Sequence, residues 1–227
     1  MNDDNFDGAI ENPVSSEQEK KGFIDLLYGV ITKPSETFRY LAETKPVLLA
    51  FLVYIAIAWV GAIVGIPGSI NAARSLNEAS RSHALNPGLI ATVTIIVVPI
   101  LSAISLTIIA GIYHIIALIL KGKGDYAGLI SALGFASFPS VFAAPFALLS
   151  LVAGLAGNVI AGIASLGFGV WVLILDIFAV RENYKFSWGR AIWTVLIPVI
   201  LGIILIVLII IAVLAATISA VNGLKAG

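Results

Sequence analysis

IAGIYHIIALILKGKGDYAGLISALGFASFPSVF, residues 109–142, is the stretch whose reading decides the fold. Two apolar segments meet at a short basic, glycine-rich turn, Lys121-Gly122-Lys123-Gly124-Asp125. The first segment carries a lone His114. The second carries a run of small residues that ends at Pro139. The rest of the chain is ordered by asking which side of a bilayer that turn occupies.

Composition supports a bilayer. The 227 residues are 59% hydrophobic and only 11% charged, against roughly 25% charged in soluble domains. Mean hydropathy is +1.05. Apolar runs longer than about 18 residues recur, the signature of membrane-spanning helices. Cysteine is absent, which excludes disulfides, thiolate metal sites, cysteine nucleophiles and lipidated cysteines. Two histidines, His83 and His114, are too few for a histidine-rich metal site, and no cofactor is implied. Thirteen basic and thirteen acidic residues cancel, so nothing points to nucleic acid. The polar, acidic start is the opposite of a cleavable leader.

The expected fold is all-α: a polytopic bundle of five transmembrane helices with a short interfacial helical segment before it. Residues 1–21 read as a disordered acidic tail. In residues 22–45, Phe23, Ile24, Leu26, Leu27, Val30 and Ile31 recur at helical spacing, and Pro34 suits a first helical turn. These are two short amphipathic helices along the membrane surface; a helical cap folded back on the bundle is the alternative. The bundle occupies residues 46–222, with spans at about 47–66, 89–120, 126–152, 159–180 and 191–221. Pro67-Gly68 should end the first span. A polar loop with Arg74, Glu78, Arg81 and His83 follows it. The second span has 32 residues, about 48 Å as straight helix. It must tilt, kink at Pro99 or protrude. Asp125 suits the N-cap of the third span, which Pro139 and Pro145 should bend. A tight hairpin, residues 153–158, leads to the fourth.

Basic residues give the orientation. With the N-terminus cytoplasmic, the inside set is Lys20, Lys21, Lys33, Arg39, Lys45, Lys121, Lys123, Arg181, Lys185 and Arg190. Arg74, Arg81 and Lys225 fall outside, so the bias is ten to three. The N-terminus is expected inside and the C-terminus outside.

Several motifs invite a functional reading. Ala153, Gly157, Ala161, Ser165 and Gly169 recur every four positions, a spacing that lets helix backbones approach. Packing within the chain is favoured over a dimer face. Lys121-Gly122-Lys123-Gly124 lacks the spacing of a phosphate loop and no strand precedes it. A C-terminal glycine cap with positive-inside anchoring explains it, and its lysines can meet anionic head groups. Trp59, Trp171, Trp188, Trp193, Tyr126 and Tyr184 mostly suit interfacial anchoring.

His114 and Asp176 are the strongly ionisable side chains within spans. Counted from Lys121 and Arg181, both sit roughly 7 to 10 Å below the same membrane face. Burying such groups costs free energy, so they are functional candidates. They can form a polar lock between spans two and four; the alternative is that both snorkel, or that His114 bonds to a serine or tyrosine. No carboxylate pair has catalytic spacing and no Ser-His-Asp set is arguable, so no enzyme activity is expected.

Leu27-Tyr28-Gly29-Val30 with Lys33-Pro34-Ser35-Glu36-Thr37-Phe38 resembles the opening of bacterial and archaeal Yip1-domain proteins. So does Lys121-Gly122-Lys123-Gly124-Asp125-Tyr126 followed by Ala132, Gly134, Phe135, Ala136 and Pro139, and so do Trp171, Ser187 and Arg190-Ala191. The resemblance covers residues 22–218. It implies a five-helix integral protein, with a cytoplasmic N-terminus, of a prokaryotic cytoplasmic membrane. Eukaryotic relatives act in vesicle traffic with prenylated Rab-type GTPases and with one another. Nothing here marks a GTPase contact, and the acidic tail is short, so that partner is not carried over.

Two functions are then in play, the first preferred and the second its alternative. One is a non-enzymatic scaffold that organises membrane or binds a partner, another membrane protein or a second copy, through residues 22–45, 121–126 and 181–190. The other is a small permease or transporter component using His114, Asp176 and the kinked spans. A polar cavity between spans two, three and four favours the second; a dry, close-packed bundle favours the first.

Overall fold

A computed structural model describes residues 21–80 and 86–226. The expected acidic tail up to residue 20, with Arg81 and His83, lies outside the described residues. Eight α-helices follow in order: α1 Phe23–Thr32, α2 Pro34–Thr44, α3 Val47–Ser80, α4 Pro87–Ile119, α5 Tyr126–Ala136, α6 Ala144–Val152, α7 Gly154–Tyr184 and α8 Trp188–Ala226. A short 3-10 helix, Phe138–Ala143, joins α5 to α6. Among the described residues, five stretches are long and apolar enough to cross a membrane: Val47–Ser80, Pro87–Ile119, Tyr126–Val152, Gly154–Tyr184 and Trp188–Thr217. The five-span, all-helical fold read from the sequence is therefore the fold observed.

The first two helices are docked on the bundle. Helix α1 starts where Asp25 Oδ2 accepts from the Gly22 amide at 3.0 Å and buries Leu26, Gly29 and Val30 on one face. Lys33 interrupts the helix, and Pro34 restarts it, having no amide that an upstream carbonyl needs. Helix α2 buries Thr37, Phe38, Leu41 and Ala42 against α5 and α7. The fold-back cap thus describes their inner faces, while Ile24 and Tyr28 leave α1 an exposed apolar edge.

The best-packed core sits beside this cap. Residues 128–136 of α5 are all buried, enclosed by α1, α2, α3, α4 and α7. Backbone approach sets the residue choice at Gly134, where a Cβ would lie 2.7 Å from the Ala50 Cβ. Farther along, the helices open out. Ile200, Leu205 and Leu214 of α8 are each about half exposed or more, which suits hydrocarbon rather than water.

Three boundaries differ from expectation. Helix α3 runs through Pro67 to Ser80 instead of ending at Pro67-Gly68. A proline deletes one amide donor, and Ser69 Oγ donates to the Ile66 carbonyl at 2.8 Å as the turn continues. Helix α7 runs to Tyr184, taking Arg181 and Glu182 into the helix rather than a connection. Those side chains stay helical because the cap satisfies them: Glu182 accepts from Arg39 at 3.2 Å and from Arg181 at 2.5 Å. The third span is broken rather than bent, since Pro139 stands in the 3-10 segment between α5 and α6.

The left-handed residue that ends α4 is Lys121 (φ 59°), not a glycine. The amide of Gly122 reaches back to the Ala117 carbonyl at 2.8 Å and that of Lys121 to Leu118 at 2.9 Å, a Schellman closure. Gly122 is needed for space instead: a Cβ there would lie 2.7 Å from the Tyr184 ring and 2.8 Å from that of Phe186. Lys45 and Lys185 end α2 and α7 in the same conformation, placing positive charge where helix carbonyls are free.

Candidate functional site in the membrane-spanning region

Two polar regions stand out. The first braces the cap to the bundle. Asp125 caps α5 by accepting from the Gly128 amide at 2.9 Å and pairs with Lys45 at 2.8 Å. Partial burial pushes its carboxyl up, but the Lys45 bond and charge, with the Gly128 and Ala127 amides, outweigh it and hold the pKa below its usual value. The Lys123 amide donates to the Tyr184 carbonyl at 3.3 Å, and Asn183 Nδ2 donates to the Asp125 carbonyl at 2.9 Å. The guanidinium of Arg181 stands 4.4 Å from the Trp188 ring. The turn Lys121-Gly122-Lys123-Gly124-Asp125 is thus tied to the end of α7.

His114 belongs to this region. Its Nδ1 lies 2.5 Å from the Tyr184 hydroxyl, and its ring packs on Tyr126 at 5.6 Å. No hydrogen bond or ion pair among the described residues joins it to Asp176. The expected polar lock is therefore replaced by a histidine–tyrosine pair. The depth count misled because α7 continues to Tyr184. Asp176 lies eight residues before that end, about 12 Å deeper along the axis.

The second region is the cavity around Asp176. It measures about 330 Å³ and is lined by α3 (Tyr54, Ile57, Ala58), α4 (Ser102, Leu106, Ile109), the broken third span (Leu133, Ser137, Ser140) and α7 (Val172, Asp176). Two causes open it. Helix α4 packs mainly on α3 and α5 and meets α7 at the His114–Tyr184 end, away from Asp176, and the third span leaves α-helical geometry at Ser137. Non-helical backbone at membrane depth is tolerated where it lines a cavity. A second cavity of about 290 Å³ lies next to it, with Ile57 and Ser140 in both linings, and reaches Gly65. From Tyr54 to Gly65 the two span roughly 16 Å of α3.

The small-residue stripe is not packed within the chain. Gly157 is buried against the Leu149 carbonyl of α6, Ala161 is half-buried, and Ser165 and Gly169 are exposed. Burial falls off along the stripe after Gly157, since α6 ends at Val152 and packs on the start of α7. Two aromatic roles also differ from anchoring: Tyr184 is buried, and Trp59 Nε1 donates to the Ile95 carbonyl at 3.1 Å.

Tyr54, Ser102, Ser137 and Ser140 were not singled out from the sequence, and Tyr184 was read there only as an anchor. Ser137 and Ser140 flank Pro139, and polar residues around a mid-span proline are the signal that was available. Among the described residues no three His, Asp or Glu side chains gather to hold a metal ion.

A search of curated proteins and a search of solved structures found no match. The sequence profile of the Yip1 domain matches residues 28–224, nearly the whole chain. The chain is a membrane protein of the Yip1 domain family.

Proposed function

We propose that this is a non-enzymatic membrane protein that holds a small solute beside Asp176 and passes it along the stacked cavities, as a small permease or a transporter component. One observation carries the reading: the 3-10 interruption of the third span meets the intramembrane carboxyl at a cavity. Interrupted helices at membrane depth supply ligand sites in transporters, since their freed backbone and small polar side chains face space instead of lipid. The neighbouring position of the two cavities on either side of Ile57 and Ser140 supports passage. The excess of basic residues on the α1–α2 side supports a cytoplasmic cap and an outside C-terminus.

A second reading, a scaffold that binds a membrane partner, is favoured by a groove of about 360 Å³ between α1 and α2, where Lys21, Asp25, Lys33 and Glu36 line an open polar surface.

The natural chain has no cysteine, so Ser140→Cys gives a single reporter. Labelling by a membrane-impermeant thiol reagent from both sides of the membrane is expected for passage. Labelling from one side only would reduce the site to a pocket and return the scaffold to first place. No labelling from either side would remove the cavity.

A further inference from the structure

We propose that the Asp176 cavity binds an organic ammonium carried on an apolar body; this rests on the reading of the same cavity as a solute site.

Charge comes first. No basic residue lines the cavity. The ion pairs Lys21–Glu36, Arg39–Glu182, Lys45–Asp125 and Arg181–Glu182 lie in the cap or where α5 and α7 meet it. His114 is engaged by Tyr184. An acidic group in low dielectric either keeps its proton or takes a positive partner, and the wall supplies no such partner.

The hydroxyls point to the same chemistry. Ser102 donates to the Pro99 carbonyl, Ser137 to Gly134 and Ser140 to Ser137, each at 2.7 Å. A serine hydroxyl has one proton and two lone pairs. With the proton directed at its own helix, each serine keeps acceptor capacity for the cavity. A carboxyl group and three hydroxyl acceptors suit a donor-rich cation and repel an anion. A polyol would need donors from the wall, where only the Tyr54 hydroxyl remains.

Size and polarity give the body. Ile57, Ala58, Leu106, Ile109, Leu133 and Val172 make most of the lining. A volume of about 330 Å³ matches roughly ten waters at about 30 Å³ each. That is far more room than a bare metal ion takes, and such an ion asks for six or more oxygen ligands. An ammonium group uses three acceptors and leaves the apolar wall for its chain.

The test uses the full chain in nanodiscs of zwitterionic phosphatidylcholine, with n-octylammonium, n-octanol, n-octanoate and sodium chloride as separate probes of thermal unfolding. Octylammonium is expected to raise the midpoint saturably, with octanol and octanoate inactive. Asp176→Asn should weaken the octylammonium response about tenfold or more, and Asp176→Glu should keep part of it. Val172→Phe, which fills the cavity and leaves the carboxyl, should block the response as well and serves if Asp176→Asn does not fold. Equal stabilisation by octylammonium and octanol, unchanged in Asp176→Asn, would overturn the ammonium inference and leave a solute cavity standing. An Asp176-dependent shift from sodium chloride alone would overturn it in favour of an inorganic cation. No response to any probe would overturn both the inference and the solute reading.

Discussion

Trp59 Nε1 donates to the carbonyl oxygen of Ile95 at 3.1 Å, and Ile95 stands four residues before Pro99 in α4. In a regular helix the amide of residue 99 would serve that carbonyl; proline has no such hydrogen. The indole of α3 replaces the missing donor in surroundings without water. Trp59→Phe should therefore destabilise the protein in detergent by about 1 kcal/mol. In a Pro99→Ala background the same change should have much less effect, because the helix supplies its own amide. Equal losses in both backgrounds, measured by thermal unfolding, would contradict the compensation.

His114 and Tyr184 act as a pair, and Asp176 is independent of them. His114→Ala and Tyr184→Phe should each lower the unfolding midpoint, with a double mutant less destabilised than the sum. His114→Ala with Asp176→Ala should be additive. Non-additivity in the second cycle would bring back the direct pairing of His114 and Asp176.

Asp125 joins the third span to the cap through Lys45. Its folded-state pKa is depressed below the ordinary 3.8. A depressed carboxyl stabilises the fold above the unfolded-state value and loses that contribution as pH falls through the folded-state value. Asp125→Asn keeps a capping oxygen and removes the charge. It should lie slightly below the parent at pH 7, by the few tenths to about 1 kcal/mol of a half-exposed pair. The gap should close on acidification below about pH 4. Asp125→Ala should lose about 1 kcal/mol more, through the cap. A gap between Asp125→Asn and the parent that stays constant into acid would contradict this role.

Glycines separate the packed end from the open one. Gly128→Ala would drive a Cβ onto the Asn183 side chain and to 3.0 Å from the Ala42 carbonyl. A loss of about 1 to 3 kcal/mol is expected there and at Gly134. Gly162 and Gly169 meet nothing within 4 Å, so alanine there should be neutral or mildly stabilising through helix propensity. Comparable losses at all four, in one thermal series, would show the stripe on α7 to be packed after all.

The parts of this fold that were legible in the sequence are those that hydropathy and charge govern. Five spans follow from apolar runs, and the two helices before them follow from the spacing of Leu26, Val30, Phe38 and Leu41, which left a surface position and a docked cap both open. What was not legible depends on partners distant in the chain. Arg181 and Glu182 look like a loop until Arg39, 143 residues away from Glu182, is seen to pair with it. Pro67 looks like a stop, yet the residues after it continue the helix. His114 and Asp176 look level because the end of α7 was set at its first charge. The cavity itself was out of reach, since it arises from where α4 and α7 fail to meet, a property of packing that no local pattern encodes.

The most direct measurement is chemical. Asp176 is the carboxyl that lines the cavity, while Asp125, Glu36 and Glu182 are paired in the cap. The protein in native membranes is treated with the lipid-soluble reagent dicyclohexylcarbodiimide and mapped by peptide mass spectrometry. A site open to ligands predicts a single dominant adduct on Asp176, absent in Asp176→Asn and suppressed by Val172→Phe. An unreacted Asp176, or adducts spread equally over the cap carboxylates, would contradict it.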